Sequence, residues 1–361
     1  MNYLKNYLTV RGDNLYCPLC LSLDTYSNCD ADCVDCFLRR LNYVWDRDNR
    51  PAAIEGLKSK LINGMKNPNP KSPLAWALKQ KKVIRLGNKS DPFQIRERVH
   101  HISKHALLTL RDLQWPTVIR TKFLSVLSDY WDILSDMKKF LWIMPWMSPG
   151  MEMDWEILER KKTDHPDLKI QIAQRFIHEG FQVGFNGESF IPGFHTLEQF
   201  EETLRRLSSI GVKSYNTYNL HANLFVYRRL LGAGIDIGKI LTCNQDDNWR
   251  PILQELIQLS KKYQIRLGCP DFVNSGWDYH DESNTCCGLN VSNPCLWNSH
   301  TFKRKTQEGK SNDQILQECW DHIGNYEQGK IMLEESSPKF FCLKDVVSGQ
   351  AGKVKSVLKL V

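Results

Sequence analysis

The chain has 361 residues, of which 42% are hydrophobic and 25% charged, the balance of a globular protein long enough for one barrel-sized domain with appendages or two ordinary domains. No apolar run approaches the roughly 20 residues that a membrane span needs, and the opening Met-Asn-Tyr-Leu-Lys-Asn-Tyr-Leu lacks a signal-peptide core, so no membrane association and a cytoplasmic location are expected. The formal net charge of +7 permits a polyanionic partner without requiring one.

Twelve cysteines in such a chain argue for reduced thiols and metal ligands, because cytosolic redox poise disfavours structural disulfides. Five lie between Cys17 and Cys36 and seven between Cys243 and Cys342, with none from 37 to 242. The first pair, Cys17 and Cys20, has C-x2-C spacing. Cys29, Cys33 and Cys36 follow at C-x3-C-x2-C spacing, just ahead of Phe37. Three thiolates so spaced can wrap one face of a cubane 4Fe-4S cluster and leave its fourth iron open to another ligand. Structural zinc completed by a distant fourth ligand, or three unrelated thiols, would also suit three neighbouring cysteines.

Beyond the cysteines the spacing predicts a helix from Phe37 towards Trp45, then a turn-rich break at Asn67-Pro-Asn-Pro-Lys-Ser-Pro. Val83 to Leu86 reads as a buried strand running into the loop Gly87-Asn-Lys-Ser-Asp-Pro. A helix from about Glu97 to Leu113, a strand Thr117 to Thr121, a helix from about Ser125 to Met137 and a strand Phe140 to Met144 repeat the scheme. Next come a helix from Leu168 to Glu179 closed by Gly180, a strand Phe181 to Phe185, and the turn at Ile191-Pro-Gly-Phe. A helix Leu197 to Ile210, a strand Val212 to Asn219, helices over Ala222 to Leu231 and Trp249 to Gln264, and a strand Ile265 to Leu267 complete the pattern. Short apolar strands alternating with amphipathic helices imply an α/β protein with a parallel sheet. Periodicity leaves a closed barrel, a partial barrel and a doubly wound sheet equally open, and in each the sites gather at the C-terminal ends of the strands.

Several segments together resemble the spore photoproduct lyase branch of radical S-adenosylmethionine enzymes and its bacteriophage-encoded relatives. They are the cysteine motif, Arg85-Leu-Gly-Asn-Lys-Ser-Asp-Pro-Phe-Gln, Val118-Ile-Arg-Thr-Lys122, Glu159, the helix end at Glu179-Gly180 and Ile191-Pro-Gly193, in that order over roughly residues 15 to 270. The resemblance implies a partial (β/α)6-type barrel over 29–268, preceded by a cysteine-containing segment 1–28 and followed by an irregular extension 269–361. It implies that Cys29, Cys33 and Cys36 ligate the cluster, that Phe37 packs near the adenine of S-adenosylmethionine, and that Lys122 pairs with its carboxylate. Asn88, Ser90 and Asp91, with Gly87 permitting close approach, would receive its amino group or ribose; apart from the resemblance, Glu188 in Asn-Gly-Glu-Ser near a strand end is a candidate for binding a substrate amine or a ribose. The loop at 87–92 equally suits an Asx or Ser turn before Pro92. An electron donor such as flavodoxin or ferredoxin is implied as a partner, and Cys17, Cys20, Cys286, Cys287 and Cys295, with Cys269 as a further ligand, suit a second 4Fe-4S cluster or zinc.

One departure bears on the reaction. Spore photoproduct lyases return a hydrogen atom from a cysteine that lies between the cluster motif and the Thr-Lys strand, and here the stretch after Cys36 holds none. A rearrangement that returns the hydrogen to its own substrate needs no such donor. The expected function is therefore isomerisation of a thymidine-type modified base in DNA, as in the glycyl-thymidine chemistry of DNA hypermodification. Photoproduct lysis, radical modification of a peptide or small metabolite, and a zinc-bearing nucleic-acid-binding protein without catalysis are the alternatives.

Overall fold

The structure is a computed structural model and describes residues 3–10, 19, 21–36, 49–70, 72–220, 224–243, 246–268, 308–311 and 314. Phe37 with the predicted helix behind it, and Cys17, Cys20, Cys269, Cys286, Cys287 and Cys295, lie outside the described residues. Nine strands are found among the described residues: β1 Leu8–Val10, β2 Leu21–Leu23, β3 Ile84–Leu86, β4 Thr117–Thr121, β5 Leu141–Pro145, β6 Gln182–Val183, β7 Phe185–Phe190, β8 Ser214–Asn219 and β9 Arg266–Gly268. Strands β1 to β6 form one sheet in sequence order, and β7 to β9 a second. All pairings are parallel except β1 on β2.

The two sheets continue one another. Gly184 N–H donates to Ile143 O at 3.0 Å, Met147 N–H donates to Asn186 O at 2.9 Å, and Trp146 bridges Asn186 in parallel sense. The parallel wall therefore runs β2, β3, β4, β5, β6 with β7, β8, β9, and among the described residues β9 does not pair back onto β1 or β2. This is the open, partial barrel that was expected.

Helices α1 Leu57–Lys66, α2 Pro73–Lys79, α3 Glu97–His100, α4 Ile102–Asp112, α5 Leu124–Ser128, α6 Trp131–Met137, α7 Glu152–Ile157, α8 Pro166–His178, α9 Leu197–Ser209, α10 Leu224–Gly232, α11 Ile237–Cys243 and α12 Asp246–Lys262 connect the strands. Strand residues alternate faces. One set, including Ile84, Leu86, Ile119, Ile143, Phe185, Tyr215 and Leu267, packs in a single core with Leu107 and Leu110 of α4, Leu134 of α6, Phe176 of α8 and Leu204 of α9. The other set forms a separate small cluster of Leu19, Val83, Val118, Trp142 and Met144 on the face away from the helices.

Two predicted helices are broken, each where a buried carboxylate or hydroxyl engages the break. The helix expected from Glu97 to Leu113 splits at His101, whose φ is 55°. The buried Glu97 carboxylate accepts from Ser103 N–H at 3.0 Å and Lys104 N–H at 2.9 Å, and so satisfies the first free amides of α4 from outside its axis. The helix expected over Ser125 to Met137 divides at Asp129 and Tyr130. There the Tyr130 hydroxyl reaches Glu97 Oε1 at 3.1 Å, and Asp164 Oδ2 accepts from Ser125 N–H at 2.7 Å. The strand expected over Phe181 to Phe185 is instead divided at Gly184 into β6 and β7, and β7 runs on to Phe190 past Gly187, where a Cβ would lie 2.0 Å from the Tyr215 hydroxyl.

Candidate active site

The cysteine motif lies in the loop that leaves the C-terminal end of β2, on the rim where the loops after β3, β4 and β5 also emerge. Polar side chains pin it from beneath. Gln94, fully buried, accepts from Asp30 N–H and from Asn49 Nδ2, both at 2.9 Å, and donates Nε2–H to Asn28 O at 3.0 Å. Arg96 grips Asp30 with Nε at 2.9 Å and Nη2 at 2.8 Å, the two-point geometry that makes an Arg–carboxylate pair directional. Val34 N–H donates to Leu158 O at 2.8 Å. Asp32 draws in Arg229 at 3.0 Å, Lys162 at 3.4 Å and Arg160 at 3.5 Å.

Cys29 and Cys36 are half-buried, Cys33 is buried, and none of the three is in a disulfide. Burial and then the Asp91 carboxylate push the Cys29 thiol up to about 12, against the backbone N–H groups of Ala31 and Asp91 that bond its sulfur. These features suit a cubane. N–H donors to a ligating sulfur are among the groups that tune iron–sulfur clusters, and a metal's positive charge favours the thiolate that burial alone opposes. Three thiolates on three different irons need not converge on one point. Among the described residues, no three Cys, His, Asp or Glu side chains are gathered closely enough to hold a single metal ion.

The loop after β3 is a built scaffold. Gly87 has φ of +89°, and a Cβ there would meet Arg120 O and Pro92 Cδ at 2.6 Å, so the close approach that requires glycine is to the β4 backbone. The N–H groups of Asn88 and Lys89 both donate to Asp24 Oδ1, at 2.9 and 2.7 Å. The Ser90 hydroxyl donates to Tyr26 O at 2.7 Å. Asp91 accepts from Phe93 N–H at 2.9 Å and Thr121 Oγ1–H at 2.7 Å on one oxygen, and from Lys122 N–H at 2.6 Å on the other. Burial pushes its carboxyl up to about 6 in spite of those three donors.

Lys122 ends β4 beside this loop and is buried. Its ammonium bonds Glu159 Oε1 at 2.9 Å, while Glu159 Oε2 receives Lys169 at 3.1 Å and the Thr163 hydroxyl. Burial alone would raise the Glu159 carboxyl, but the two ammonium groups outweigh it and bring it to about 2. Both Glu159 oxygens are thus engaged by buried ammonium groups. Trp146 shares the rim, with the Lys122 ammonium 5.6 Å and the Arg120 guanidinium 5.3 Å from its ring centre.

The chain at Glu188 belongs to β7, which also carries Asn186. The sequence reading missed Gln94 as the hub of the cysteine loop, Asp24 as the cap of the Gly87 loop, and the row Arg120, Asn186, Asn216. The Phe-Asn and Tyr-Asn pairs at 185–186 and 215–216 were the available signal, an apolar residue outward and an amide inward.

No protein-family model matches the chain. No curated protein matches it either. Among solved structures it is similar to SuiB of Streptococcus suis bound to S-adenosylmethionine, at 15% identity and a TM-score of 0.48, over 69% of this chain and 50% of that one. SuiB bound to its precursor peptide SuiA gives 15% identity and a TM-score of 0.48, over 69% and 48%. The chain spans about half the length of these structures.

Proposed function

We propose that this protein is a radical S-adenosylmethionine enzyme that rearranges a thymidine-type modified base in DNA. The observation that carries the radical reading is the placement of three reduced cysteines at C-x3-C-x2-C spacing in one pinned loop, at the C-terminal rim of an open parallel barrel. Cys29, Cys33 and Cys36 would hold a 4Fe-4S cluster, and Lys122, at the end of β4 beside the Asp91 loop, would receive the carboxylate of S-adenosylmethionine. Given one electron from a flavodoxin- or ferredoxin-type donor, the bound cluster and S-adenosylmethionine would supply a 5'-deoxyadenosyl radical and leave methionine.

The chain's own residues position and shield. Gln94, Arg96 and the Asp32 cations hold the loop still, and Asp91 ties the Cys29 turn to the end of β4 through Thr121 and Lys122. Isomerisation is favoured over lysis because no cysteine occurs from 37 to 242, so a rearrangement that reuses its hydrogen fits the chain better than one that needs a thiol donor. A duplex substrate would have to flip its nucleotide out, at a cost of a few kcal/mol.

Anaerobic reconstitution followed by iron assay tests the class: near four irons per chain are expected, and the Cys33→Ala variant should lose them. Retention of all iron by that variant, or binding of one zinc instead, would overturn it. With modified DNA present, catalytic turnover without matching release of 5'-deoxyadenosine supports the isomerase. Stoichiometric release argues for a lyase or another consuming reaction.

A further inference from the structure

The face of the barrel away from the helices begins apolar, at the register partners Val118 and Trp142, and becomes mixed towards the rim, where Arg120 is level with Met144. Arg120 lies two residues beyond Val118 on β4. Asn186 and Asn216 each follow an outward aromatic residue, Phe185 and Tyr215, that sits in the main core. Both asparagines are fully buried. They are register partners on β7 and β8, so their amides stand side by side at a strand spacing of about 4.8 Å.

Arg120 Nη2 donates to Asn186 Oδ1 at 3.3 Å. A guanidinium has donors alone, so this contact fixes which way the Asn186 amide points and turns its Nδ2 away. That Nδ2, the Arg120 Nε, and both Oδ1 and Nδ2 of Asn216 are buried with no hydrogen-bond partner. On the other side, the register partner of Asn216 is Gly268, which sets no side chain beside the amide. Buried polar groups in folded proteins are almost always paired, and four unpaired atoms on one face are what a ligand would satisfy.

The geometry points to Asn186 and Asn216, keyed by Arg120, as the pair that selects the substrate by reading the imide edge of a pyrimidine base; this rests on the base-modifying function proposed above. A primary amide sets a donor beside an acceptor. It therefore pairs at two points with an O=C–N–H group whose oxygen and hydrogen point the same way. A pyrimidine imide offers that edge with a second carbonyl beyond it, in the order oxygen, N–H, oxygen. Asn216 takes the first carbonyl and the N–H, and Asn186 Nδ2 takes the second carbonyl. A trans peptide bond points its oxygen and hydrogen in opposite directions, so a peptide backbone cannot pair with Asn216 in this way. An adduct on the methyl group of thymine lies off the imide edge and leaves these contacts intact.

The test is binding of labelled single-stranded oligothymidine, the same oligomer methylated at N3 of its bases, and oligocytidine to the full-length protein, as both reconstituted and metal-free protein. Methylation at N3 is expected to weaken binding about tenfold or more. Asn216→Leu is expected to weaken oligothymidine by a similar factor and to abolish the discrimination against the methylated oligomer. Its melting temperature should be unchanged or higher, since an unpaired buried amide is removed. Discrimination within about threefold in the wild type, oligocytidine bound as tightly as oligothymidine, an Asn216→Leu variant that still discriminates, or no oligomer bound at all would each overturn the proposal. Iron content and S-adenosylmethionine binding are read separately. Their loss sinks the radical reading, while the metal-free arm still reports on the two asparagines.

Discussion

Glu159 holds two lysines in a place that solvent does not screen, with side chains of Lys122, Lys169 and Glu159 at most 8% exposed. Removing one member of such a group strands the others, at about 3–5 kcal/mol. Glu159→Gln should therefore lower the stability measured by urea unfolding by that order at neutral pH. The folded carboxyl sits near 2 and the unfolded one near its ordinary value of 4.5, so the ionised form is favoured in the fold. The advantage of wild type over Glu159→Gln should be full above pH 4.5 and fade as pH falls from there towards 2. A gap that stays constant over that window would remove the charge argument. Gly87→Ala confronts a positive φ and a carbonyl oxygen 2.6 Å from the new Cβ, and should cost about 1–3 kcal/mol in the same measurement.

Among elements, the cysteine loop depends on neighbours that supply no metal ligand. Gln94→Leu keeps the side-chain volume yet deletes three bonds to Asp30, Asn49 and Asn28. Supporting residues of this kind are worth about 10–100-fold in metal affinity, so the variant should hold iron that much more weakly against a chelator while circular dichroism stays unchanged. Much of this architecture was legible in the sequence. Strands β3, β4, β5, β8 and β9 and helices α8, α9 and α12 fell within a few residues of their expected bounds, because apolar runs and closing glycines such as Gly180 and Gly211 mark them. Strands β1 and β2 were not expected. At three residues each they are too short for alternation to register. The break at His101 was hidden for another reason: it is set by Glu97, Ser103 and Tyr130, which only tertiary contact brings together. The cysteine motif could be read from spacing, whereas the polar inner row left only the faint signal of an aromatic–asparagine pair on each of two strands, since one asparagine per strand has no period.

For the whole molecule, charge and openness act together. If DNA is the substrate, the net charge of +7 predicts affinity that falls as salt rises, because phosphate contacts release counterions. Weak dependence of log affinity on log salt between about 50 and 200 mM would point to a neutral ligand instead. Among the described residues no helix is long and apolar enough to cross a membrane.

The antiparallel strand β1 occupies the flank of β2 that a closing barrel would offer to β9. A closed barrel would admit a polymer through its mouth, whereas the gap between β1 and β9 among the described residues would admit a loop from the side. If single-stranded DNA enters there, a strand without ends is as good a guest as one with them, and covalently closed single-stranded circles should compete with linear oligomers of equal length on equal terms.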